Sequence, residues 1–364
     1  MSIPKTMKAF VLSGHGDMDK LVYKTDWPVP QVGPSEVLMK VHACGLNNTD
    51  VNTRTAWYSS SVTEETTGGA FEGAEDDDAT WGGAPLSFPR IQGADAVGTV
   101  AAVGEGVDSS LIGKRALIDV WLRDWNDPLN YNKCGYYGSE LDGGYAEYTK
   151  VDHRNLHTIE SDLSHAELAT FATSYVTAEN MLNRAQVREG DTVLISGASG
   201  GVGSALIQLA NRRGAKTIGM ASEAKHADLA RANPTALIPS KPDNLKRAIK
   251  DAIGSETVSV VADVVGGAQW PRFIEVLERG GRYTCSGTIA GPMVDFDLRV
   301  LYLRDLTFTG ATVVPPGVFA DLVGYIARGE IKPMLAETFP LADLHKAQQT
   351  FIDKKHVGNI VVET

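Results

Sequence analysis

Short apolar runs separated by glycine and proline fill the first 155 residues of the chain. The segments KAFVLSG, EVLMKVHACG, GTVAAVG, RALIDVWL and YAEYTKV are apolar or alternate between apolar and polar positions. Runs of this length with turn residues on both sides predict β-strands. The sequence therefore predicts a β-rich first domain.

From about residue 164 the pattern changes to apolar strands that alternate with amphipathic helices. SHAELATFATSYVTAENMLNRA has helical spacing, and DTVLISG, KTIGMAS, ALIPS and VSVVADVVG predict strands with helices between them. This alternation predicts an α/β fold with a doubly wound parallel sheet. The last fifty residues add further helices and a final strand, GNIVVET.

One segment interrupts the β-rich region. Residues 59–88 contain seven acidic residues, no lysine and no arginine, and many small polar residues. This composition predicts an exposed or partly disordered acidic insertion. Long loops also form lids over binding clefts, so a lid remains the alternative interpretation.

The overall composition excludes several classes of partner. A net charge of −11 over 364 residues argues against nucleic acid and anionic membranes, because both require basic patches. No stretch approaches the roughly 18 apolar residues of a membrane span. The three cysteines are far apart in the sequence and form no CxxC pair. We therefore expect a cytoplasmic protein without disulfides.

The segment VLISGASGGVGSALIQLA combines a strand, a glycine turn and a helix. Gly200, Gly201 and Gly203 allow a tight turn and a close approach of the backbone to a pyrophosphate. The helix amino terminus then offers free N–H groups to the phosphates. Ala198 replaces the first glycine of the strict GxGxxG spacing. Within a β-α-β series, this segment predicts a dinucleotide site.

The end of the next strand distinguishes NADP(H) from NAD(H). NAD sites usually place a carboxylate there to bind the ribose hydroxyls. Here the segment continues with Ser222 and Lys225, which favour a phosphate, whereas Glu223 falls beyond the usual acidic position. We therefore expect NADP(H), with an ordinary surface lysine as the alternative interpretation of Lys225.

The chain resembles the medium-chain dehydrogenase/reductase superfamily over nearly its whole length. The resemblance rests on GGVGSALIQLA, DGGYAEY, GADAVGTVAAVG and KKHVGNIVV. It implies a GroES-like catalytic domain at 1–155, a Rossmann domain at 156–312 and a carboxyl-terminal return to the catalytic domain at 313–364. It also implies a homodimer or homotetramer. The predicted cofactor-binding residues are then Gly200, Gly201, Ser222 and Lys225 from the motifs above, together with Thr177, Ser199, Val202 and Asn359.

Zinc-dependent members of this superfamily hold a catalytic metal with a cysteine, a histidine and a later cysteine or aspartate. Cys44 matches the first ligand, but Ala94 stands where the histidine should be, and LATFATSYVTAEN has no cysteine. Only Cys134 remains of a structural zinc lobe. Because a catalytic zinc needs three protein ligands, we expect no metal and interpret Cys44 as a packed thiol.

The segment GLNNTDVNTRTAWY resembles the corresponding part of zinc-independent quinone oxidoreductases and enoyl reductases. Tyr58 is the candidate proton donor, since a phenol is protonated at neutral pH; the alternative is a tyrosine that only lines a pocket. Asn47 is expected to contact the nicotinamide or the substrate oxygen. Asp50 either does the same or caps a turn. Asn52 and Ala56 depart from the quinone reductase pattern.

These features predict an NADPH-dependent, zinc-independent reductase. Without a metal to polarise an alkoxide, hydride transfer to an electron-poor quinone or α,β-unsaturated carbonyl is the favoured chemistry. Two alternatives remain open: an NADPH-binding structural or sensing protein with little catalysis, and an alcohol or aldehyde oxidoreductase.

Overall fold

The computed structural model describes residues 3–71, 73–74 and 77–364. The predicted acidic insertion is therefore described except for Glu72, Glu75 and Asp76, which lie outside the described residues. The first part of the chain is β-rich, as its short apolar runs predict. Its elements are β1 (Thr6–Leu12), β2 (Leu21–Pro28), β3 (Glu36–Gly45), α1 (Asn48–Arg54), β4 (Asp95–Val103), β5 (Arg115–Ile118), β6 (Trp121–Leu122), β7 (Gly135–Tyr136), β8 (Tyr148–Asp152) and β9 (Leu156–Thr158).

The second part alternates helices and strands. Its elements are α2 (His165–Leu168), α3 (Ala172–Arg184), β10 (Thr192–Ile195), α4 (Gly201–Arg212), β11 (Lys216–Ala221), α5 (His226–Leu229), β12 (Ala236–Pro239), α6 (Leu245–Ile253), β13 (Val258–Asp263), α7 (Trp270–Glu275), β14 (Leu277–Cys285), α8 (Leu298–Leu303) and β15 (Thr307–Gly310). Six of these strands form one parallel sheet in the order β12-β11-β10-β13-β14-β15. The order reverses at β10, which is the switch point where doubly wound sheets bind ligands.

The chain then returns to the first domain. Its last elements are α9 (Val318–Ala327), β16 (Leu335–Pro340), α10 (Leu344–Ile352) and β17 (Asn359–Glu363). The catalytic sheet runs β16-β17-β3-β4-β5-β9, and β8 also pairs with β3. Because β9 pairs with β5, residues 156–158 belong to this sheet. The division predicted at residue 155 therefore falls one strand too early.

Helix α3 connects the catalytic sheet to the Rossmann domain. Its first turn contacts the start of β4, because the backbone N–H of Thr173 donates to Asp95 Oδ1 at 2.9 Å. Its following turns pack against α4, and Ala178, Met181 and Leu182 are fully buried. The helix therefore places residues of one face between the two domains.

Candidate active site

A cavity of about 320 Å³ lies between the two domains. Its wall combines the loop after β3, the start of α3, the glycine turn after β10 and the segment before β17. Most of the residues predicted from the sequence line it, namely Asn47, Tyr58, Thr177, Ser199, Gly200, Gly201, Val202, Lys225 and Asn359. Asp50 and Ser222 do not line it. The fold therefore brings most of the predicted cofactor and catalytic residues to one site.

The glycine turn requires its glycines. A Cβ atom at Gly201, the first residue of α4, would lie 2.3 Å from Ser174 Oγ. At Gly203 it would lie 2.3 Å from the carbonyl oxygen of Gly197. Helix α4 therefore begins close to α3 and to its own turn, with its free N–H groups at the cavity. Such a helix start is suited to a pyrophosphate.

The carboxyl-terminal segment holds the glycine turn in place. The N–H of Gly358 donates to the carbonyl of Ser199 at 2.9 Å. The Asn359 side chain donates from Nδ2 to Ser174 Oγ at 2.9 Å and is buried. Asn359 therefore couples the returning strand β17 to α3 beside the predicted phosphate site.

Two lysines meet at the edge of this site. The ammonium of Lys225 lies 3.4 Å from Ser199 Oγ and donates to the carbonyl of Lys354 at 2.5 Å. Lys354 lines the same cavity and donates to Asn48 Oδ1 at 2.7 Å. Loss of hydration around the ammonium, and then the charge of Lys225, lower the pKa of Lys354 to about 7. Two cationic groups at one end of a cavity favour an anionic ligand.

Ser222 directly follows β11, as predicted, but does not line the cavity. It is exposed at the end of β11 and precedes a short 3-10 turn, Glu223–Lys225. Its hydroxyl makes no capping hydrogen bond there. The prediction for Ser222 therefore remains a prediction, whereas Lys225 lies in the cavity wall.

Tyr58 and Asn47 line the opposite, catalytic-domain side of the cavity. Burial raises the pKa of the Tyr58 phenol, and the hydrogen bonds of Thr49 and Asn52 offset part of that effect. Tyr58 is therefore a neutral acid over the physiological pH range. Asn47 precedes α1, and only 7% of its surface is exposed.

Asp50 lies behind this wall, where its carboxylate accepts several structural hydrogen bonds. Its carboxylate accepts hydrogen bonds from the Asn47 N–H at 2.8 Å and the Gly93 N–H at 3.3 Å. The Tyr145 hydroxyl donates to it at 2.7 Å. Burial raises the pKa of Asp50 to about 7. These contacts are those of a helix cap, which was the alternative interpretation of Asp50, rather than of a group that touches substrate.

The acidic insertion contacts both domains. The Thr66 N–H donates to the Ile289 carbonyl of the Rossmann domain at 3.0 Å, and Arg54 donates to the Gly68 carbonyl at 3.0 Å. Trp81 lines the cavity, where its ring lies 5.0 Å from that of Trp121. The described part of the insertion is therefore held against both domains and contributes Trp81 to the cavity wall, while the lid interpretation stays a prediction.

Several cavity residues were not identified from the sequence. The aromatic residues Trp57, Trp81, Trp121 and Tyr136 line it, and so do Thr173, Lys354 and His356. Lys354 and His356 belong to the motif KKHVGNIVV, which gave a local signal. Trp81, Trp121 and Tyr136 come from three separate segments, and only the tertiary fold brings their rings within 5.0–6.5 Å of one another.

Known proteins share both halves of this architecture. Residues 33–161 match the alcohol dehydrogenase GroES-like domain, and residues 201–328 match the zinc-binding dehydrogenase domain. A putative alcohol dehydrogenase from Sinorhizobium meliloti 1021 is 41% identical, covers 99% of this chain and 97% of its own, and superposes with a TM-score of 0.90. The chain belongs to the medium-chain dehydrogenase/reductase superfamily. The predicted α/β fold with a GroES-like domain and a Rossmann sheet is thereby confirmed.

More distant members of the superfamily carry out different reductions. An acryloyl-coenzyme A reductase from Metallosphaera sedula is 28% identical over 77% of this chain and 85% of its own length. A quinone oxidoreductase from Rattus norvegicus is 25% identical over 96% of this chain and 94% of its own. The crotonyl-CoA carboxylase/reductase AntE, solved in complex with NADP, is 25% identical, covers 100% of this chain and 95% of its own, and gives a TM-score of 0.84. Together these relatives support an oxidoreductase of this superfamily.

The zinc implied by one matched domain does not fit the residues of this site. Cys44 is fully buried, does not line the cavity and packs against Gly93 and Gly144. The methyl group of Ala94 cannot bind a metal. Among the residues that the structure describes, no group of three or more His, Cys, Asp or Glu side chains is arranged to hold a metal ion.

The described helices also include none that is long and apolar enough to span a bilayer.

Proposed function

We propose that this protein is an NADPH-dependent, zinc-independent reductase of electron-poor acceptors, either quinones or α,β-unsaturated carbonyl compounds. One observation carries the proposal. A single cavity has a glycine turn with two lysines at one end and phenols with tryptophan rings at the other. The first end is suited to a phosphorylated dinucleotide, and the second to a flat acceptor whose oxygen gains negative charge.

The residues at the Rossmann end fit NADP(H). The glycine turn and the start of α4 would hold the pyrophosphate, and Lys225 with Lys354 would bind the additional phosphate. Thr177 on α3 would contact the nicotinamide ring. When bound, the reduced cofactor supplies the hydride. NADP in the AntE structure supports this choice, while NAD(H) is the competing cofactor.

The catalytic-domain end supplies the remaining chemistry. Tyr58 donates a hydrogen bond to the acceptor oxygen as that oxygen becomes negative, and Asn47 helps to position the acceptor. The tryptophan rings and the insertion exclude water and pack against a planar acceptor. Quinones and enones need no metal for this step, because the carbon that takes the hydride is already electron-poor. The reductases among the relatives support this substrate class.

The test is NADPH oxidation by the purified protein with a panel of quinones, enones, enoyl thioesters and simple aldehydes, and NADP⁺ reduction with alcohols. Turnover with quinones or enones is expected. Turnover confined to aldehydes and alcohols would favour the alcohol oxidoreductase alternative. Tight NADPH binding without turnover of any acceptor would favour the structural or sensing alternative.

We also propose that the active form is a cytoplasmic homodimer or homotetramer. Strand β15 forms one edge of the Rossmann sheet, and α8 beside it exposes Leu298, Tyr302 and Leu303 by 58–67%. A second copy that pairs with this edge would cover those side chains. Sedimentation of the purified protein tests the assembly.

A further inference from the structure

A chain of three hydrogen-bonded side chains leads away from the cavity into the protein. The hydroxyls of Tyr136 and Thr173 are 2.7 Å apart. The Thr173 hydroxyl lies 2.5 Å from Asp95 Oδ1 and donates to it when Asp95 is ionised. Tyr136 and Thr173 line the cavity, whereas Asp95 is fully buried behind them. The chain therefore connects the substrate region to a carboxyl group that has no contact with solvent.

Thr173 lies next to the predicted position of the reacting ring. Thr173 and Thr177 are four residues apart on α3 and both line the cavity. This spacing is about one helical turn, or roughly 6 Å along the axis. A proton delivered at Tyr136 and a hydride delivered near Thr177 would thus reach the same acceptor.

We propose that Asp95, Thr173 and Tyr136 form a proton relay that supplies the proton consumed in the reduction. This inference rests on the proposed function and adds a second phenol to it. Tyr136 is the catalytic residue that touches the acceptor, while Thr173 and Asp95 act through it. Tyr58 remains a hydrogen-bond donor to the same oxygen.

The steps balance in atoms and charge. With Asp95 protonated at Oδ1, which also accepts the Thr173 backbone N–H at 2.9 Å, its O–H donates to the Thr173 hydroxyl. The Thr173 hydroxyl then donates to Tyr136, and the Tyr136 hydroxyl is free to donate into the cavity. Once a hydride has been added to the acceptor carbon, the negative acceptor oxygen takes the Tyr136 proton. Tyr136 takes the Thr173 proton, and Thr173 takes the Asp95 proton. Asp95 ends as a carboxylate and the direction of every hydrogen bond is reversed.

The protonation state of Asp95 therefore sets the direction of the hydrogen bonds among Asp95, Thr173 and Tyr136. With Asp95 ionised, Thr173 donates to Asp95 and Tyr136 donates to Thr173, so Tyr136 has no proton for the acceptor. After the product leaves, the cavity returns a proton to Asp95 through the same groups. Reduction is thus expected only from the protonated form.

The surroundings of Asp95 extend its protonated form to higher pH than that of an ordinary aspartate, so that this form predominates below about pH 6. Burial raises the pKa of Asp95 to about 6, and hydrogen bonds from Thr173 and Asn47 offset part of the effect. The titratable groups that face it are the acids Asp50, Cys44, Tyr136 and Tyr145. Negative charge on any of them would raise the pKa of Asp95 further.

The pH dependence of enone reduction tests the relay. For the parent protein, single-turnover oxidation of bound NADPH should fall about tenfold per pH unit above the pKa of Asp95. Thr173→Val keeps the shape but removes the hydroxyl, and should lower the rate at pH 5.5 by about 10²–10⁴ and abolish the slope. Tyr136→Phe and Asp95→Asn should do the same, and Thr173→Ser should restore both rate and slope.

A second buried Tyr–Thr pair provides a matched control. The Tyr137 hydroxyl donates to Thr149 Oγ1 at 2.6 Å, and neither residue lines the cavity. Thr149→Val should keep the parent rate and slope. A slope that persists in both Thr173→Val and Asp95→Asn, or that is lost only in Tyr58→Phe, would overturn the relay.

A readout without turnover separates this inference from the proposed function. The carboxylic-acid C=O band of Asp95 should appear in infrared difference spectra of the NADP⁺ complex between pH 5 and 8, and be absent in Asp95→Asn. Its titration should shift in Tyr136→Phe, because the chain couples the two groups. If no acceptor is reduced, the proposed function fails. If the titration is the same in Tyr136→Phe as in the parent, the relay fails, whether or not an acceptor is reduced.

Discussion

The ammonium of Lys225 donates a 2.5 Å hydrogen bond to the backbone carbonyl of Lys354. The two residues are 129 positions apart, one after β11 and the other before β17. Their contact closes the end of the cavity where the additional phosphate of NADPH is proposed to bind. On this proposal, the choice of cofactor depends on both the Rossmann domain and the returning segment.

Lys225→Ala should weaken NADPH binding and leave NADH binding almost unchanged. Loss of a charge-assisted phosphate contact costs about 1.5–3 kcal/mol, or roughly 10- to 150-fold in Kd. Fluorescence titration with both cofactors measures this. Lys216, which is exposed at the opposite end of β11, provides the control, and Lys216→Ala should change neither affinity. Equal affinities for the two cofactors in the parent would contradict the assignment.

The preference for NADPH should decline as the pH rises. The pKa of Lys354 is about 7 without ligand, and a bound phosphate would raise it, so the complex holds an additional proton above pH 7. Affinity for NADPH relative to NADH should therefore fall between pH 6.5 and 9. Isothermal titration at several pH values should also show proton uptake. Lys354→Arg keeps its charge throughout this range and should remove the dependence.

Tyr58→Phe retains the ring and removes one hydrogen-bond donor to the acceptor oxygen. The kcat for an enone should fall by about 10²–10³, while NADPH affinity should persist because the cofactor lies on the glycine turn. Quinones should be affected less, since a hydroquinone anion is stabilised by its own ring. Tyr148→Phe, remote from the cavity in β8, should behave like the parent. If Tyr58→Phe turns over every acceptor at the parent rate, Tyr58 only lines the pocket.

Removal of metal should not affect the reaction. Ala94 has no donor atom, and Cys44 is packed behind the cavity wall. Protein purified without added zinc should contain close to none by elemental analysis, and dialysis against a chelator should leave NADPH oxidation unchanged. One tightly held zinc ion per chain, removed together with activity, would show that this protein has a catalytic zinc site.

The local part of this architecture could be predicted from sequence, because strand periodicity and glycine turns are short-range signals. The turn at Gly200 and Gly201 and the alternating helices and strands were predicted in this way. The interruption between α2 and α3 was not, since the helical spacing continues through it. Asp95 accepts a hydrogen bond from the N–H of Thr173 and so helps to set where α3 begins, from 78 residues away. That partner is defined only by the tertiary fold.

The same distinction explains the candidate site. Lys225 and Tyr58 were identified because each belongs to a contiguous motif. Trp81 was concealed in an insertion whose composition predicts an exposed loop, yet its indole N–H donates to Glu140 at 3.1 Å and its ring packs against Trp121. Cys44 shows that neighbouring positions can correct a misleading motif, because Ala94 and the missing later cysteine predict a packed thiol there. Its motif matched a metal ligand, but side chains alternate along β3, and Cys44 is fully buried away from the cavity.

The buried pair Tyr145–Asp50 should make the stability of the protein depend on pH. Asp50 has a folded pKa of about 7, above its unfolded value near 3.8, so its contribution to the free energy of unfolding falls as pH rises between those values. The Tyr145 hydroxyl favours the ionised carboxylate. Tyr145→Phe should therefore lower the free energy of unfolding by about 1.5–3 kcal/mol above pH 7, and by less at pH 5.5, where Asp50 is protonated.

Urea unfolding of parent and variant at pH 5.5 and 8.5 measures the difference. Tyr137→Phe removes a buried hydroxyl that donates to the neutral Thr149, so its cost should be about 0.5–1.5 kcal/mol and nearly the same at both pH values. The diagnostic result is the contrast between the two tyrosines, because any loss of packing is common to both. If Tyr145→Phe costs the same at pH 5.5 as at pH 8.5, Asp50 does not titrate between them and is held as a carboxylate by its other hydrogen bonds.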